Sequence, residues 1–146
     1  MPGDQRTVWI AFSRFGPYHV ARVGSAASSF PVEGLELDPE DKTYAWDAIQ
    51  DPGRFGLHRL PPAGRHWHEE LHRVLAASEP TAVAVPGYAG SRALRLVGEA
   101  KVRRIPLVLM SESTAWDQPR VAWKEAVKRR IVRLFDAALV GGRPQA

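Results

Sequence analysis

The chain has 146 residues, the size of one ordinary domain. Hydrophobic residues make up 45% of it and charged residues 25%, a balance that is typical of a folded globular protein and excludes a disordered or collagen-like chain. Cysteine is absent, so the sequence excludes disulfide bonds, a thiolate nucleophile and a cysteine-ligated zinc site.

The formal net charge of +4 arises mainly from one segment. Residues 119–133 carry six basic side chains and one acidic one, whereas residues 33–51 carry seven acidic side chains and one lysine. A dedicated nucleic-acid binder would interleave several aromatic side chains with a longer basic stripe, so we expect no nucleic-acid partner. The basic cluster indicates either a solvated helix face or a surface attracted to an anionic membrane or a substrate phosphate. It consists of Lys124, Lys128, Arg129 and Arg130.

Apolar runs in the sequence are short, those at residues 82–85 and 107–110 being typical. A membrane-spanning helix needs roughly 18 such residues in a row. Residues 1–7 also lack the apolar core of a secretory signal. The sequence therefore predicts a cytoplasmic protein.

The first part of the chain predicts two strands and a helix. Residues 7–12 form a β-branched and aromatic run before Ser13 and Gly16, which favours a buried strand followed by a loop. A helix over 18–27 and a strand over 30–37 come next. Prolines and glycines then recur through residues 38–62, which predicts a long surface connection with one brief strand at 57–60.

From residue 65 onward, helical patterns alternate with short apolar runs, as in a βαβ protein. The predicted helices cover 66–77, 91–102 and a segment that starts at Pro119 behind an Asp117 cap, and the predicted strands cover 81–86, 105–110 and 137–140. Right-handed crossovers between such strands give a single α/β domain, residues 1–146, with a Rossmann-like open parallel sheet and helices on both faces.

Each of these three helices carries an apolar stripe that we expect to be buried. The stripes consist of Trp67, Leu71, Val74 and Leu75 in the first helix, of Ala93, Leu96, Val97 and Ala100 in the second, and of Trp123, Val127, Ile131 and Leu134 in the third.

Residues 68–72 read His-Glu-Glu-Leu-His. On a helix, this spacing places two imidazoles on one face, where they can bind zinc while a glutamate activates water. A catalytic zinc also needs a third protein ligand, and the extended zincin pattern would require Gly and His where the chain has Leu75 and Ser78. Zinc hydrolysis therefore ranks below the two hypotheses about function given at the end of this section, and we predict no metal ligands.

The loop after the first strand is the first candidate binding segment. It lacks both the dinucleotide-binding G-x-G-x-x-G and the Walker motif, so we predict no cofactor. It instead supplies an aromatic, a glycine, an imidazole and a guanidinium at the carboxyl edge of the sheet, where ligands of open α/β sheets bind. A plain solvated loop is the alternative. The candidate residues are Phe15, Gly16, Tyr18, His19 and Arg22.

Two further loops should reach the same edge. Gly87 and Tyr88 precede a helix, whose amides can bind an anion while the tyrosine stacks on a sugar ring or base. Ser111, Glu112 and Ser113 follow the most apolar strand, and the carboxylate can accept hydrogen bonds from substrate hydroxyls. The alternatives are a tight turn for the glycine and local backbone hydrogen bonds for the serines.

Taken together and in order, five segments resemble the N-terminal half of a group-1 glycosyltransferase: residues 15–22, 82–88, 106–114, 123–129 and 134–142. The resemblance implies a GT-B arrangement, in which this domain holds the acceptor and a second Rossmann-like domain holds the nucleotide-sugar donor. It also implies that the three loops line the acceptor side of the cleft, the first loop lying nearest the reacting sugar.

The sequence departs from that family at two places. Many members have paired glycines where this chain has Arg14-Phe15-Gly16, and many have a histidine where it has Ser111 and Glu112. The resemblance therefore assigns no catalytic residue. The chain ends at Ala146, where a member would continue into the donor domain, so the resemblance implies that this chain alone does not transfer sugar.

Two further hypotheses about function stand beside zinc hydrolysis. The first is the acceptor-binding half of a glycosyltransferase, with a sugar or glycoside acceptor as partner and a nucleotide-sugar only once a donor domain is present. The second is a non-catalytic Rossmann-like binding module that associates with itself or with a partner chain. The first requires a parallel sheet that brings His19, Tyr88 and Glu112 close together.

Overall fold

The computed structural model describes residues 6–43, 45–62, 64–111 and 122–141. Strands and helices alternate along most of the chain, close to the positions that the sequence predicts. In chain order they are β1 (Val8–Phe12), α1 (Pro17–Ala26), β2 (Val32–Glu36), β3 (Gly56–Arg59), α2 (Arg65–Ser78), β4 (Ala82–Pro86), α3 (Ser91–Val102), β5 (Leu107–Ser111), α4 (Ala122–Val132) and β6 (Ala137–Val140).

The strands form one six-stranded sheet in the order β3-β2-β1-β4-β5-β6. All strand pairs within the described ranges are parallel, and Val8 of β1 lies opposite both Val32 of β2 and Ala82 of β4. The chain moves outward from β1 to β3, returns through α2 to β4, and then moves outward on the other side. This order confirms the predicted Rossmann-like α/β fold.

Side chains of the central strands alternate between two apolar clusters, one on each face of the sheet. Trp9 and Ala11 of β1 are fully buried in the larger cluster, together with residues of α2 and α3. Val8 and Ile10 pack on the other face, against a smaller cluster beside α1. The sheet is therefore covered on both faces, as predicted. The smaller cluster consists of Phe15, Val23, Val32 and Phe55.

The apolar stripes predicted for α2 and α3 are confirmed, because their buried residues are the eight named above. Trp67 also has a polar role, since its indole N–H donates to the carbonyl of Leu37 at 2.8 Å in the core. Within the described ranges, no helix is both long enough and apolar enough to cross a bilayer.

The buried stripe predicted for α4 is wrong. Every residue of α4 is described and none is buried; Trp123 is 66% exposed. Val127 and Leu134 are also exposed, and Ile131 is half-buried. Helical periodicity shows which side chains share a face but not what that face contacts, and α4 leads into the edge strand β6, most of which is exposed. Asp117 and Pro119, the predicted cap, lie outside the described residues.

Gly34 and Gly24 provide a matched test of the packing beneath α1. A Cβ on Gly34 would lie 2.9 Å from atoms of both Phe15 and Phe55, whereas a Cβ on Gly24 in α1 would meet nothing within 4 Å. We expect Gly34→Ala to reduce the free energy of unfolding by about 1–3 kcal/mol through overpacking. Gly24→Ala should increase it by about 0.5–1 kcal/mol, because alanine loses less backbone entropy in a helix. Urea unfolding of both variants measures this, and equal effects would contradict the packing described.

Candidate functional site

A cavity of about 350 Å³ opens at the carboxyl edge of the sheet, beside the reversal of strand order between β1 and β4. In open α/β sheets, ligands bind at such a reversal. Four strand ends and the first turns of α1 form the walls. The lining residues are Phe12, Tyr18, His19, Arg22, Pro86, Gly87, Met110, Ser111, Leu139, Val140 and Gly141.

The fold brings half of the predicted site residues together around this cavity. They come from three segments that are far apart in the sequence and that meet because the strands before them are parallel. These residues are Tyr18, His19, Arg22, Gly87 and Ser111.

The other predicted residues lie elsewhere or fall outside the described residues. Phe15 is fully buried in the smaller apolar cluster, so it belongs to the core and does not line the cavity. Gly16 caps the N-terminus of α1. Tyr88 is half-buried next to Gly87 but is not among the described residues that line the cavity. Glu112 and Ser113 lie outside the described residues, so the expected meeting of His19, Tyr88 and Glu112 stays a prediction.

The ring of His19 is held by contacts on several sides. Its Nδ1 accepts a hydrogen bond from the backbone N–H of Gly16 at 3.2 Å, the side-chain-to-cap bond of a capping box. The ring stacks on Phe12, with 4.1 Å between centroids, and meets Trp46 edge-on. A neutral imidazole that accepts at Nδ1 carries its proton on Nε2. In its neutral form, His19 therefore carries the ring proton on Nε2.

Gly16 is required where the loop enters α1. A Cβ at this position would overlap the ring of Trp46. The absence of a side chain therefore lets Trp46 pack over the helix start and contact His19 from the edge. This explains why a glycine, a weaker cap than serine or aspartate, stands at the N-cap.

Arg22 and Tyr18 are one turn apart on α1 and form a cation–π pair. The guanidinium carbon lies 5.2 Å from the centroid of the tyrosine ring, which is largely exposed. Arg22 is the only residue with a permanent charge among the described lining residues. This wall of the cavity therefore favours anionic or hydroxyl-rich ligands.

Gly87 shapes the opposite wall. Its φ of +81° lies in the left-handed region that favours glycine, and its N–H donates to the carbonyl of Val85 at 2.9 Å. The predicted anion seat at this loop therefore cannot use the Gly87 amide, which is engaged in the turn.

A buried carboxylate behind the cavity determines where the loop after β1 lies. Glu36, at the end of β2, is 3% exposed. Its carboxylate accepts hydrogen bonds from the N–H of Phe15 at 2.7 Å and from Nε of Arg59 at 3.1 Å. Arg59 in turn donates to the carbonyl of Ile49. One side chain thus joins the carboxyl ends of β2 and β3 to the loop after β1.

Sequence reasoning missed the role of Glu36, although the sequence contains a signal for it. Within β2, Glu36 is in phase with Val32 and Gly34, which are both buried. A glutamate on the buried face of a strand must be paired or hydrogen-bonded. An acidic residue at a position that shares a strand face with Val32 and Gly34 could therefore have been recognised as a buried, hydrogen-bonded group.

Residues beyond β2 fix the same loop from the outside. The hydroxyl of Ser13 donates to Asp41 at 2.6 Å, and the carbonyl of Ser13 accepts from the N–H of Asp38 at 2.7 Å. Arg92 of α3 contacts the carboxylate of Asp38 at 2.5 Å. Several hydrogen bonds hold the pKa of Asp41 below its usual value, and the bond from Ser13 has the largest effect.

The structure pairs the second histidine of the zinc-like motif with an acid and a cation. His72 Nδ1 lies 2.8 Å from Glu99, and the Arg103 guanidinium lies 3.1 Å from His72 Nε2. Burial raises the pKa of Glu99, but hydrogen bonds from Arg103 and His72 outweigh it and hold the pKa below its usual value. A guanidinium at this position would repel a metal ion. Within the described residues, no three metal-ligating side chains come together, and we propose no zinc site.

Comparison with known proteins finds solved structures of similar fold. No protein-family model and no curated protein matches the sequence. A solved structure assigned as a UDP-N-acetylglucosamine 2-epimerase from Listeria monocytogenes matches 93% of this chain and 38% of its own, with a TM-score of 0.58 and 12% identity. A UDP-N-acetylglucosamine 2-epimerase from Rickettsia bellii matches 94% and 38%, with a TM-score of 0.55 and 18% identity.

The chain has a GT-B-like Rossmann fold. At identities below 20%, the likeness to the two epimerases shows the fold alone, and the chain spans 38% of the length of each. Nothing in these comparisons distinguishes the group-1 glycosyltransferases from other proteins of this fold.

Removing the buried carboxylate should destabilise the protein. We expect Glu36→Ala to reduce the free energy of unfolding by about 2–4 kcal/mol, because the Phe15 N–H and the Arg59 guanidinium lose their acceptor. Glu69→Ala, which removes an exposed carboxylate from α2, should change it by less than about 0.5 kcal/mol. Urea unfolding of both variants checks the prediction, and a loss at Glu36 no larger than that at Glu69 would contradict it.

The hydrogen bond from Ser13 predicts a pH dependence. The pKa of Asp41 is below its reference value of 3.8 in the folded protein, so ionised Asp41 stabilises the fold above the unfolded pKa. That contribution is lost as the pH falls through the folded pKa. In Ser13→Ala, an NMR titration should show the Asp41 midpoint shifted upward, toward that of an unfolded chain. An unchanged midpoint would mean that Ser13 does not control this carboxyl.

Proposed function

We propose that this chain is the acceptor-binding half of a glycosyltransferase that takes its sugar from a nucleotide-sugar held by a separate donor domain. One observation carries the proposal: the cavity at the strand reversal is lined by residues of the loops that resemble the acceptor side of group-1 glycosyltransferases. Transfer then requires a donor domain, and a sugar or glycoside acceptor is the ligand of this half.

The lining suits a sugar ring in size and chemistry. A volume of about 350 Å³ lies at the small end of ligand pockets. Phe12, Met110 and Leu139 offer apolar surface to the C–H face of a ring, while Ser111 and Arg22 offer hydrogen-bonding groups to its hydroxyls. Tyr18, beside the guanidinium, provides an aromatic surface at the cavity wall.

His19 has a defined role in this proposal. When the ring is neutral, the hydrogen bond from Gly16 to Nδ1 places the ring proton on Nε2, so Nε2 would have no lone pair with which to remove a proton. It would therefore orient a hydroxyl oxygen of the acceptor or stabilise negative charge that develops near it. Proton removal by His19 would first require the bond to Gly16 to break.

The structural neighbours support sugar chemistry in a fold of this kind, since both are named for an activity on UDP-N-acetylglucosamine. Their names concern proteins of which this chain covers 38%, so the activity, acceptor and donor assigned here are proposals.

A second candidate function is a non-catalytic binding module. It is favoured by the exposed apolar residues of α4, none of which is among the described lining residues of the cavity, and by the exposed edge strand β6.

Ligand binding to the isolated chain tests the first proposal. We expect titration of the ¹⁵N-labelled chain with a panel of methyl glycosides to shift the amide signals of His19, Gly87 and Ser111 together. His19→Ala and Arg22→Ala should each weaken binding about tenfold, the effect of losing one hydrogen bond to the ligand. His66→Ala, an exposed histidine on α2, is the matched control and should leave affinity unchanged.

Two results would overturn the assignment. If no glycoside shifts the cavity amides, the acceptor role fails and the binding-module candidate stands. If UDP binds in the cavity and glycosides do not, the domain holds the donor.

A further inference from the structure

The outward side of α4 carries an apolar stripe that is exposed among the residues that the structure describes. The exposed fractions of Trp123, Val127 and Leu134 are 66%, 49% and 40%. At 100° per residue these three side chains fall within a 40° sector of the helix and of the turn that follows it. Glu125 and Lys128, on the other side of the helix, are half-buried, and so is Ile131 at one edge of the stripe. The stripe is therefore a continuous surface and not a set of scattered side chains.

The stripe is flanked by positive charge. Exposed Arg129, Arg130 and Arg133 border it on one side and exposed Lys124 on the other, where the ammonium lies 5.7 Å from the centroid of the Trp123 ring. Residues 122–134 contain one acid, Glu125. That acid is half-buried and paired with Lys128 at 3.1 Å, so it does not neutralise the outward arginines. We call this surface the basic face; it consists of Trp123, Lys124, Val127, Arg129, Arg130, Arg133 and Leu134.

We propose that the basic face binds the surface of an anionic lipid bilayer. A bilayer supplies both complements that this face needs: negatively charged headgroups for the arginines and an apolar layer just beneath for the stripe. Tryptophan is suited to that boundary because its ring is apolar and its N–H is polar. With one tryptophan and a short stripe, the contact is peripheral and reversible.

The same residues fit the other occupants less well. A nucleic acid would satisfy the arginines but leave Val127 and Leu134 exposed to water, and it would have one aromatic ring on which to stack a base. A second copy of the chain would bring two positive faces together, which like charges oppose. The joint presence of apolar and basic residues on one face thus favours the bilayer.

Sedimentation with lipid vesicles tests the proposal on the full chain. Vesicles of phosphatidylcholine alone are compared with vesicles of phosphatidylcholine and phosphatidylglycerol in a ratio of about 2:1, at low and at high salt. We expect binding to the anionic vesicles at low salt, weaker binding at high salt because the charges are screened, and little binding to phosphatidylcholine alone.

Two matched pairs of variants separate the basic face from general effects. The triple variant Arg129→Gln, Arg130→Gln, Arg133→Gln should weaken vesicle binding on the order of a hundredfold. The control triple Lys42→Gln, Arg65→Gln, Arg95→Gln removes the same charge from exposed positions elsewhere and should weaken it far less. Trp123→Ala should cost about tenfold, whereas Phe30→Ala, which removes another exposed ring, should cost little. All substituted side chains are exposed, so circular dichroism should show unchanged folding.

Several outcomes would overturn the proposal: equal losses in the two triple variants, no binding to anionic vesicles, or a salt-sensitive preference for a DNA or RNA duplex that Trp123→Ala does not alter. A dimer in sedimentation equilibrium that Trp123→Ala dissociates would assign the face to a second copy. Glycoside titrations of the Arg129/Arg130/Arg133 variant should match the wild type, because the cavity and the basic face share no residue. Failure here therefore leaves the proposed function untouched.

Discussion

The arrangement of the site depends on one buried carboxylate. Glu36 is nearly inaccessible to water and therefore has to be matched by donors inside the protein. It finds them in the N–H of Phe15 and the guanidinium of Arg59. Since Phe15 immediately precedes the cap of α1, this bond fixes where the helix begins, and with it the positions of Tyr18, His19 and Arg22. Shifting the loop would deprive the buried carboxylate of one of these two donors.

Topology provides the second constraint. The strand order reverses between β1 and β4, so the connections that leave these two strands run in opposite directions along the sheet and a crevice opens between them. Nearly every lining residue of the cavity comes from a strand end or from α1. The fold thus provides a place for a ligand but not its identity, because the same architecture carries many activities. The chemistry of the site resides in the imidazole of His19, the guanidinium of Arg22 and the hydroxyl of Ser111 that line the crevice.

The chain presents two surfaces of different physical character. The cavity combines apolar walls with a few directed polar groups, which suits a small molecule. The basic face of α4 is an open surface with delocalised charge, which suits a large, fluid partner. Because the cavity and the basic face share no residue, substitutions in one surface leave the residues of the other unchanged. A protein that joined both functions would bring its small-molecule site to a membrane surface.

Much of the fold could be predicted from the sequence, since the spacing of apolar side chains shows which of them share one face of a helix or strand. The stripes of α2 and α3 repeat at helical spacing because one side of each helix must leave water, and the apolar strands after residue 80 reveal a sheet covered on both faces. Those patterns determined the α/β class, nearly all element positions and the loops that meet at the carboxyl edge.

Tertiary structure decided what those loops and faces contact. Whether Phe15 fills the core or lines the cavity, and whether Glu36 is solvated or buried, depends on neighbours 20 or more residues away in the sequence. The misjudged stripe of α4 has the same origin. Periodicity groups side chains by direction, but the energy of burying them depends on the surface opposite, and that surface is assembled only when the chain folds.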